Sequence, residues 1–326
     1  MVRVSTNRMS MTEDDLIARY FAPLAGPGGL GLTDDVALLT LPPGRDLVAS
    51  VDALVAGVHF FADDPPDAIA AKALRVNLSD LAAKGAVPLG FLLSLALPRE
   101  TGEDWLEGFA RGLGADARAY ACPLLGGDTV RTPGPLTLSI TALGTVAPGK
   151  APLRTAARAG DHLYVTGTIG DAALGLQLRL DRGPTLAPTF CDFLLERYLR
   201  PQPRLALAPA LAHARAAMDV SDGLVGDLAK MLRASQVGGV LDLREVPFSD
   251  AARAWFAADA TGIAIAVTGG DDYEVLAAVP RERCEAFEAA AAVPVRRIGT
   301  VREGAFEVLD LAGAPVHFAQ GAYSHF

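Results

Sequence analysis

Aspartate beside small residues recurs along this chain, in Thr33-Asp34-Asp35, Ser50-Val51-Asp52, Asn77-Leu78-Ser79-Asp80, Gly126-Gly127-Asp128-Thr129 and Asp219-Val220-Ser221-Asp222-Gly223. Hard divalent cations take oxygen ligands. Magnesium in particular is held by a few carboxylates together with waters and substrate phosphates, so convergent aspartates suit a metal-nucleotide complex. Any one of these residues is explained as well by a helix cap or a closed turn, where Asp is favoured. Their repetition is what points to chemistry. Asp80 is the sharpest case, because it lies in the apolar helical stretch AAKALRVNLSDLAAKGA, where an unpaired carboxylate would be costly to bury and a metal would offset that cost. Gly126-Gly127 before Asp128 admits close approach of a phosphate or an unusual backbone conformation, and Gly269-Gly270-Asp271-Asp272-Tyr273 repeats the arrangement. The Asp219–Asp222 turn reads either as a strand ending in a helix cap or as two carboxylates and a serine meeting metal and phosphate at a helix start.

The elements that must position these residues alternate between helix and strand. Periodicity predicts a helix over 13–24, strands at Val36–Leu41 and Leu47–Val51, a helix over 67–85, a strand at Gly90–Leu97, a helix near 103–119 and a strand at Leu136–Val146. The stretch PGKAPLRTAARAGD has few large apolar residues and suits a crossing between domains. Beyond it the pattern predicts strands at His162–Thr166, Ala216–Val220, 263–268, 273–279 and 295–301, and helices at 170–180, 204–215 and 224–233. The fold class is therefore mixed α/β. A chain of 326 residues exceeds the size at which one core usually stops growing, so two domains are expected, 1–149 and 150–326.

Composition excludes several classes. A net charge of -9 argues against a nucleic-acid or anionic-membrane surface, while 51% hydrophobic and 21% charged residues suit a soluble globular chain rather than a disordered one. Cys122, Cys191 and Cys284 stand far apart without a CxxC pair, which predicts free thiols in a reducing cytoplasm. The basic opening MVRVSTNRMS lacks the apolar stretch of a secretory signal, and no run is long enough for a membrane helix. Gly144–Lys150 matches GxxxxGK, yet Ala151 replaces the hydroxyl that a P-loop needs for magnesium and Pro148 removes an amide donor. No GxGxxG, HExxH or GxSxG motif is present, so dinucleotide, zinc-protease and serine-hydrolase readings lack support.

In order, LTDDVALL, ASVDALVAGVHF, KALRVNLSDLAAKGAVP, LLGGDTVR, LYVTGTIGDAALGL, RPQPR, AMDVSDGLVGDL, GGDDYEVL and the terminal SHF resemble the thiamine-monophosphate kinase family, over nearly the whole chain. That family belongs to a superfamily with aminoimidazole-ribonucleotide synthetase and selenophosphate synthetase. The resemblance implies a two-domain aminoimidazole-ribonucleotide-synthetase-like fold, dimerising through its N-terminal sheet. It also implies magnesium-dependent transfer of the γ-phosphoryl group of ATP to thiamine monophosphate, giving thiamine diphosphate in the last step of that cofactor's biosynthesis. Carried over by motif, Asp35, Ser50, Val51, Asp52, Asp80, Asp128, Asp219 and Asp222 match metal positions, with Val51 offering backbone alone. Gly127, Asp128, Arg154 and Ser221 match ATP contacts, and His59 and Asp271, with Phe318 or Tyr323, match substrate positions. The chain departs from the family pattern at Thr33 for Gly, Val51 and Ala53 for two threonines, and Asp271 for Glu. Two alternatives stay open: a related ATP-dependent synthetase acting on another small molecule, and a non-catalytic nucleotide-binding homologue.

Overall fold

Strand β1 (Asp46–Val55) alternates, turning Val48, Ser50, Asp52 and Leu54 inward and leaving Leu47, Ala49, Val51 and Ala53 exposed. The computed structural model describes residues 12–318 and 321–322. With β2 (Val87–Pro98), β3 (Leu124–Thr132) and β4 (Thr137–Val146), β1 forms a sheet in the order β1-β4-β2-β3. β4 is antiparallel to both neighbours, and β3 lies parallel to β2 at the edge. A short N-terminal helix, α1 (Glu13–Leu16), is capped by the Thr12 hydroxyl and runs on through irregular turns to Leu24. α2 (Pro66–Ala83) and α3 (Glu103–Ala119) pack with the inner face of the sheet around Phe91, Leu95, Phe109 and Ile140.

The second domain is built on a seven-stranded sheet in the order β11-β10-β7-β9-β5-β8-β6. Its strands are β5 (His162–Thr166), β6 (Ala216–Val220), β7 (Gly238–Asp242), β8 (Glu274–Val279), β9 (Val295–Arg302), β10 (Phe306–Leu309) and β11 (Pro315–Val316). Its helices are α4 (Asp171–Arg179), α5 (Pro188–Leu199), α6 (Ala208–Leu211), α7 (Leu224–Ala234), α8 (Asp250–Ala258), α9 (Gly262–Thr268) and α10 (Cys284–Ala290). β6 and β8 are buried along their whole length, as strands covered on both faces must be.

α2 joins the two domains. It is buried nearly all round, which its apolar sequence permits and its position between the sheets requires. Its few polar side chains serve both sides: Asn77 and Asp80 reach β1, while Ser79 reaches Asp219 on β6. Among the described residues, no helix is long and apolar enough to cross a membrane.

Some predicted elements differ. Residues 36–41 form no strand. Among the described residues β1 pairs through β4 alone, so no ladder recruits the segment, and Val36 and Leu38 stand exposed. The run 263–268 is helical, since a short apolar run fits a buried strand or a helix equally until packing decides. The predicted helix at 204–215 is reduced to a 3-10 turn and α6. Gly126–Asp128, expected as a turn, lies within β3: a Cβ on Gly127 would stand 1.8 Å from the Leu93 carbonyl oxygen, so glycine lets β2 and β3 approach. Gly144–Lys150 is the end of β4 and a turn, without the strand-to-helix geometry of a phosphate loop.

Candidate functional site

Lys72, Val76 and Asp80 recur every four residues on α2 and so share one face. That face looks into a cleft of about 260 Å³ between the domains. Asp52 enters it from β1, Asp219 from the end of β6, Ser221 and Asp222 from the turn before α7, and Asp271 from the loop before β8. His59, Phe60 and Phe61 close it from the loop after β1, with Tyr198 and Tyr273 completing an aromatic wall. The sequence-predicted residues Asp52, Asp80, Asp219, Ser221, Asp222, His59 and Asp271 thus come together from remote parts of the chain.

Local hydrogen bonds hold each in place. The Ser50 hydroxyl donates to Asp80, and the Ser79 hydroxyl donates to Asp219 Oδ2 at 2.9 Å. The Asp52 amide donates to Asn77 Oδ1 at 3.0 Å, tying the strand to α2. The Val55 amide donates to His59 Nδ1 at 3.0 Å, which orients the imidazole. Buried Asp227 accepts the amides of Ser221 and Asp222 at 2.9 and 2.8 Å, so a carboxylate shapes the turn from beneath, and Lys230 pairs with both Asp227 and Asp222. The Asp271 and Tyr273 amides donate to the Ser221 and Val220 carbonyls, each at 2.8 Å. Asp271 and Tyr273 both have positive φ, 64° and 52°, a conformation that costs free energy in non-glycine residues and persists only where the surroundings enforce it. Gly270, also at positive φ, has no alternative, because a Cβ there would lie 2.4 Å from the Ser221 carbonyl oxygen.

The carboxylates of the cleft are electrostatically strained. Burial, then the charges of Asp80 and Asp222, push the Asp52 carboxyl up to about 6. Burial, then Asp80, push Asp219 up to about 7, against the Ser79 hydrogen bond. Like charges drawn together out of water fit a hard divalent cation. Among the described residues, no three His, Cys, Asp or Glu side chains stand close enough to enclose an ion by themselves. An open arrangement of this kind suits magnesium, which keeps waters and takes oxygens from substrate phosphates.

The other expected residues lie elsewhere. Ser50 faces inward on β1 next to Asp80, but Val51 points to the opposite, exposed face. Asp128, level with Ser94, Ser139 and Ala53 across the sheet, shares that outer face, and neighbouring Gly127 is exposed too. Asp35 is exposed in the irregular segment before β1. Arg154 is exposed in the interdomain crossing, where its carbonyl accepts the Ser235 hydroxyl. Phe318 packs against the second domain's core, and Tyr323 lies outside the described residues. Sequence reasoning missed Lys72, Tyr198, Tyr273, Asp227 and Lys230 as parts of this site. For Lys72 a signal existed, since a lysine two helical repeats before Asp80 shares its face.

Residues 33–146 match the family described as AIR synthase related protein, N-terminal domain, and residues 158–310 match AIR synthase related protein, C-terminal domain. The chain is 44% identical over 302 residues to the thiamine-monophosphate kinase of Caulobacter vibrioides, spanning 90% of this chain and 85% of that protein. It is 40% identical over 328 residues to that of Escherichia coli (strain K12), spanning 98% and 99%. The crystal structure of thiamine-monophosphate kinase from Stenotrophomonas maltophilia K279a matches with a TM-score of 0.78 at 38% identity, covering 85% of this chain and 89% of that one. AaThiL complexed with AMPPCP and TMP matches with a TM-score of 0.77 at 31% identity, covering 90% and 91%. The hydrogenase maturation protein HypE in complex with ATP, at 21% identity and a TM-score of 0.79 over 96% of each chain, shares the fold.

Proposed function

Because this chain belongs to the thiamine-monophosphate kinase family, we propose that the cleft between its two domains is where it works. The chain uses ATP to phosphorylate thiamine monophosphate, giving thiamine diphosphate and ADP. The observation that carries the assignment to this cleft is the make-up of its lining. Asp52, Asp80, Asp219 and Asp222 line it together with His59, Asp271 and the aromatic side chains of Phe61, Tyr198 and Tyr273. The carboxylates suit phosphate chains carried with cations, and the aromatic side chains suit the flat rings of thiamine.

In this reading Asp52, Asp80, Asp219 and Asp222 hold magnesium, which when bound would neutralise the two phosphate chains and stabilise charge on the transferring phosphoryl group. Ser50 and Ser79 fix the carboxylates from behind, and Ser221, in the cleft lining, offers its hydroxyl to phosphate. Transfer is direct and in line. The acceptor oxygen of a phosphate monoester is already ionised near neutral pH, so no general base is required. His59 and Asp271 orient the substrate, and the cleft shields the transfer from competing water.

Incubating the purified chain with ATP, magnesium and either thiamine monophosphate or free thiamine tests the activity. Thiamine diphosphate is expected from the monophosphate alone, and none from either would overturn the reading.

The strained carboxylates add a further expectation. Asp52 and Asp219 have folded pKa values raised above the ordinary carboxylate value, so the folded state keeps protons that the unfolded state has released. Their contribution to stability is whole below the ordinary carboxylate pKa and is lost as pH rises through about 6 to 7. Magnesium should therefore raise the melting temperature more at about pH 8 than at about pH 5. An equal or larger shift at the lower pH would contradict the metal assignment.

The exposed face of the first sheet carries Leu47, Val51, Leu92 and Val130, an apolar surface suited to a second copy of the chain. A homodimer formed there would bring Gly127 and Asp128 to the subunit boundary. Sedimentation that returned a monomer at micromolar concentration would remove this element. A cytoplasmic setting, where ATP and magnesium are supplied, accords with the three unpaired cysteines.

A further inference from the structure

The cleft contains a cation that the reaction as described leaves without a role. Lys72, on α2 of the first domain, is 3% exposed, and its Nζ lies 2.7 Å from Asp271 Oδ2 of the second domain. The same ammonium sits 3.9 Å from the centre of the Tyr198 ring. Among the described residues that line the cleft, it is the sole ammonium or guanidinium. A lysine loses much hydration when buried, so one held between a carboxylate and a ring face is kept for its directed donors.

We propose that Lys72 is a positioning residue that sets specificity for the thiamine end of the substrate by acting through Asp271. The inference rests on the kinase reading above. The backbone of Asp271 is fixed by the hydrogen bond its amide donates to the Ser221 carbonyl, and Lys72 takes up Oδ2. Oδ1 is left with one long contact, 3.4 Å from the Tyr273 hydroxyl, and so remains an aimed acceptor for an N–H donor such as the exocyclic amine of an aminopyrimidine. Neutralised by Lys72, Asp271 selects by hydrogen-bond direction rather than by net charge. The pairing also explains how an aspartate serves where the family pattern has the longer glutamate: the lysine fixes the shorter arm.

The test is steady-state kinetics on Lys72→Met, Lys72→Arg, Asp271→Asn and the Lys72→Met/Asp271→Asn double variant, each checked by thermal melting. Lys72→Met should raise KM for thiamine monophosphate by about tenfold or more while KM for ATP stays within about twofold. Lys72→Arg should recover part of the loss, and the double variant should be no worse than the poorer single one. An unchanged KM for thiamine monophosphate, equal rises in both KM values, or multiplied losses in the double variant would overturn the proposal. If Lys72→Met fails to fold, Lys72→Arg and Asp271→Asn carry the test: an effect of either on ATP rather than on thiamine monophosphate overturns it. Wild-type protein that forms no thiamine diphosphate would instead bring down the kinase reading itself.

Discussion

Replacing Asp80 by asparagine is expected to lower turnover by about a thousandfold or more without unfolding the protein. Asp80 faces the cleft from α2, accepts the Ser50 hydroxyl and is the leading charged neighbour acting on both Asp52 and Asp219. Asparagine keeps the shape and the acceptor for Ser50 but removes one charge from the ligand set proposed for magnesium. Losing several kcal/mol of charge stabilisation at the transferring phosphoryl group corresponds to about three powers of ten in rate. Stability should move the other way. With Asp80 neutral, Asp52 and Asp219 each lose a like-charged neighbour, so melting at about pH 8 without magnesium should stay level or rise. Turnover measured beside melting temperature separates the outcomes: a near-normal rate would refute the metal assignment, and a collapsed fold would show that Asp80 is structural.

The second large effect is one of stability. Glu274 is fully buried and accepts from Arg197 at 2.8 Å, from Arg204 at 2.6 and 2.5 Å, and from the Thr166 hydroxyl at 2.6 Å. It begins β8 directly after the Asp271–Tyr273 loop, and Arg204 is the last residue of the Arg-Pro-Gln-Pro-Arg segment, whose purpose the sequence leaves open. Glu274→Ala would leave two guanidiniums facing each other with their carboxylate gone, at a cost of about 3–5 kcal/mol. A melting temperature lower by on the order of 10 °C is the expected reading. The loop carrying Asp271 hangs from this anchor, so KM for thiamine monophosphate should rise in the same variant. A melting curve that matched wild type would show that the two arginines find other partners.

Much of the site could be read before any fold was known. Asp80 announced itself because it interrupts an apolar helix, and the Asp219–Gly223 turn because it is a strand end followed by a helix start. These signals are local, and the structure keeps them local. Residues 36–41 and 263–268 show the opposite case. Both are short apolar runs, and which becomes strand, helix or irregular chain depends on whether a partner strand is within reach, which no window of sequence contains.

The aspartate-rich turns, read alone, determined that several carboxylates needed an explanation and that magnesium and phosphate supplied one. Only the tertiary structure decided which of them meet. Asp52 and Asp128 both sit on strands of one sheet, yet alternation along β1 turns Asp52 into the cleft, while register across the sheet places Asp128 on the outer face. Lys72 and Asp271 are 199 positions apart and pair because α2 is wedged between two separately built sheets. Spacing along a chain reports which residues share a strand or a helix face, since those periods are set by the backbone. Which face meets which is set by how apolar surfaces from distant segments exclude water together.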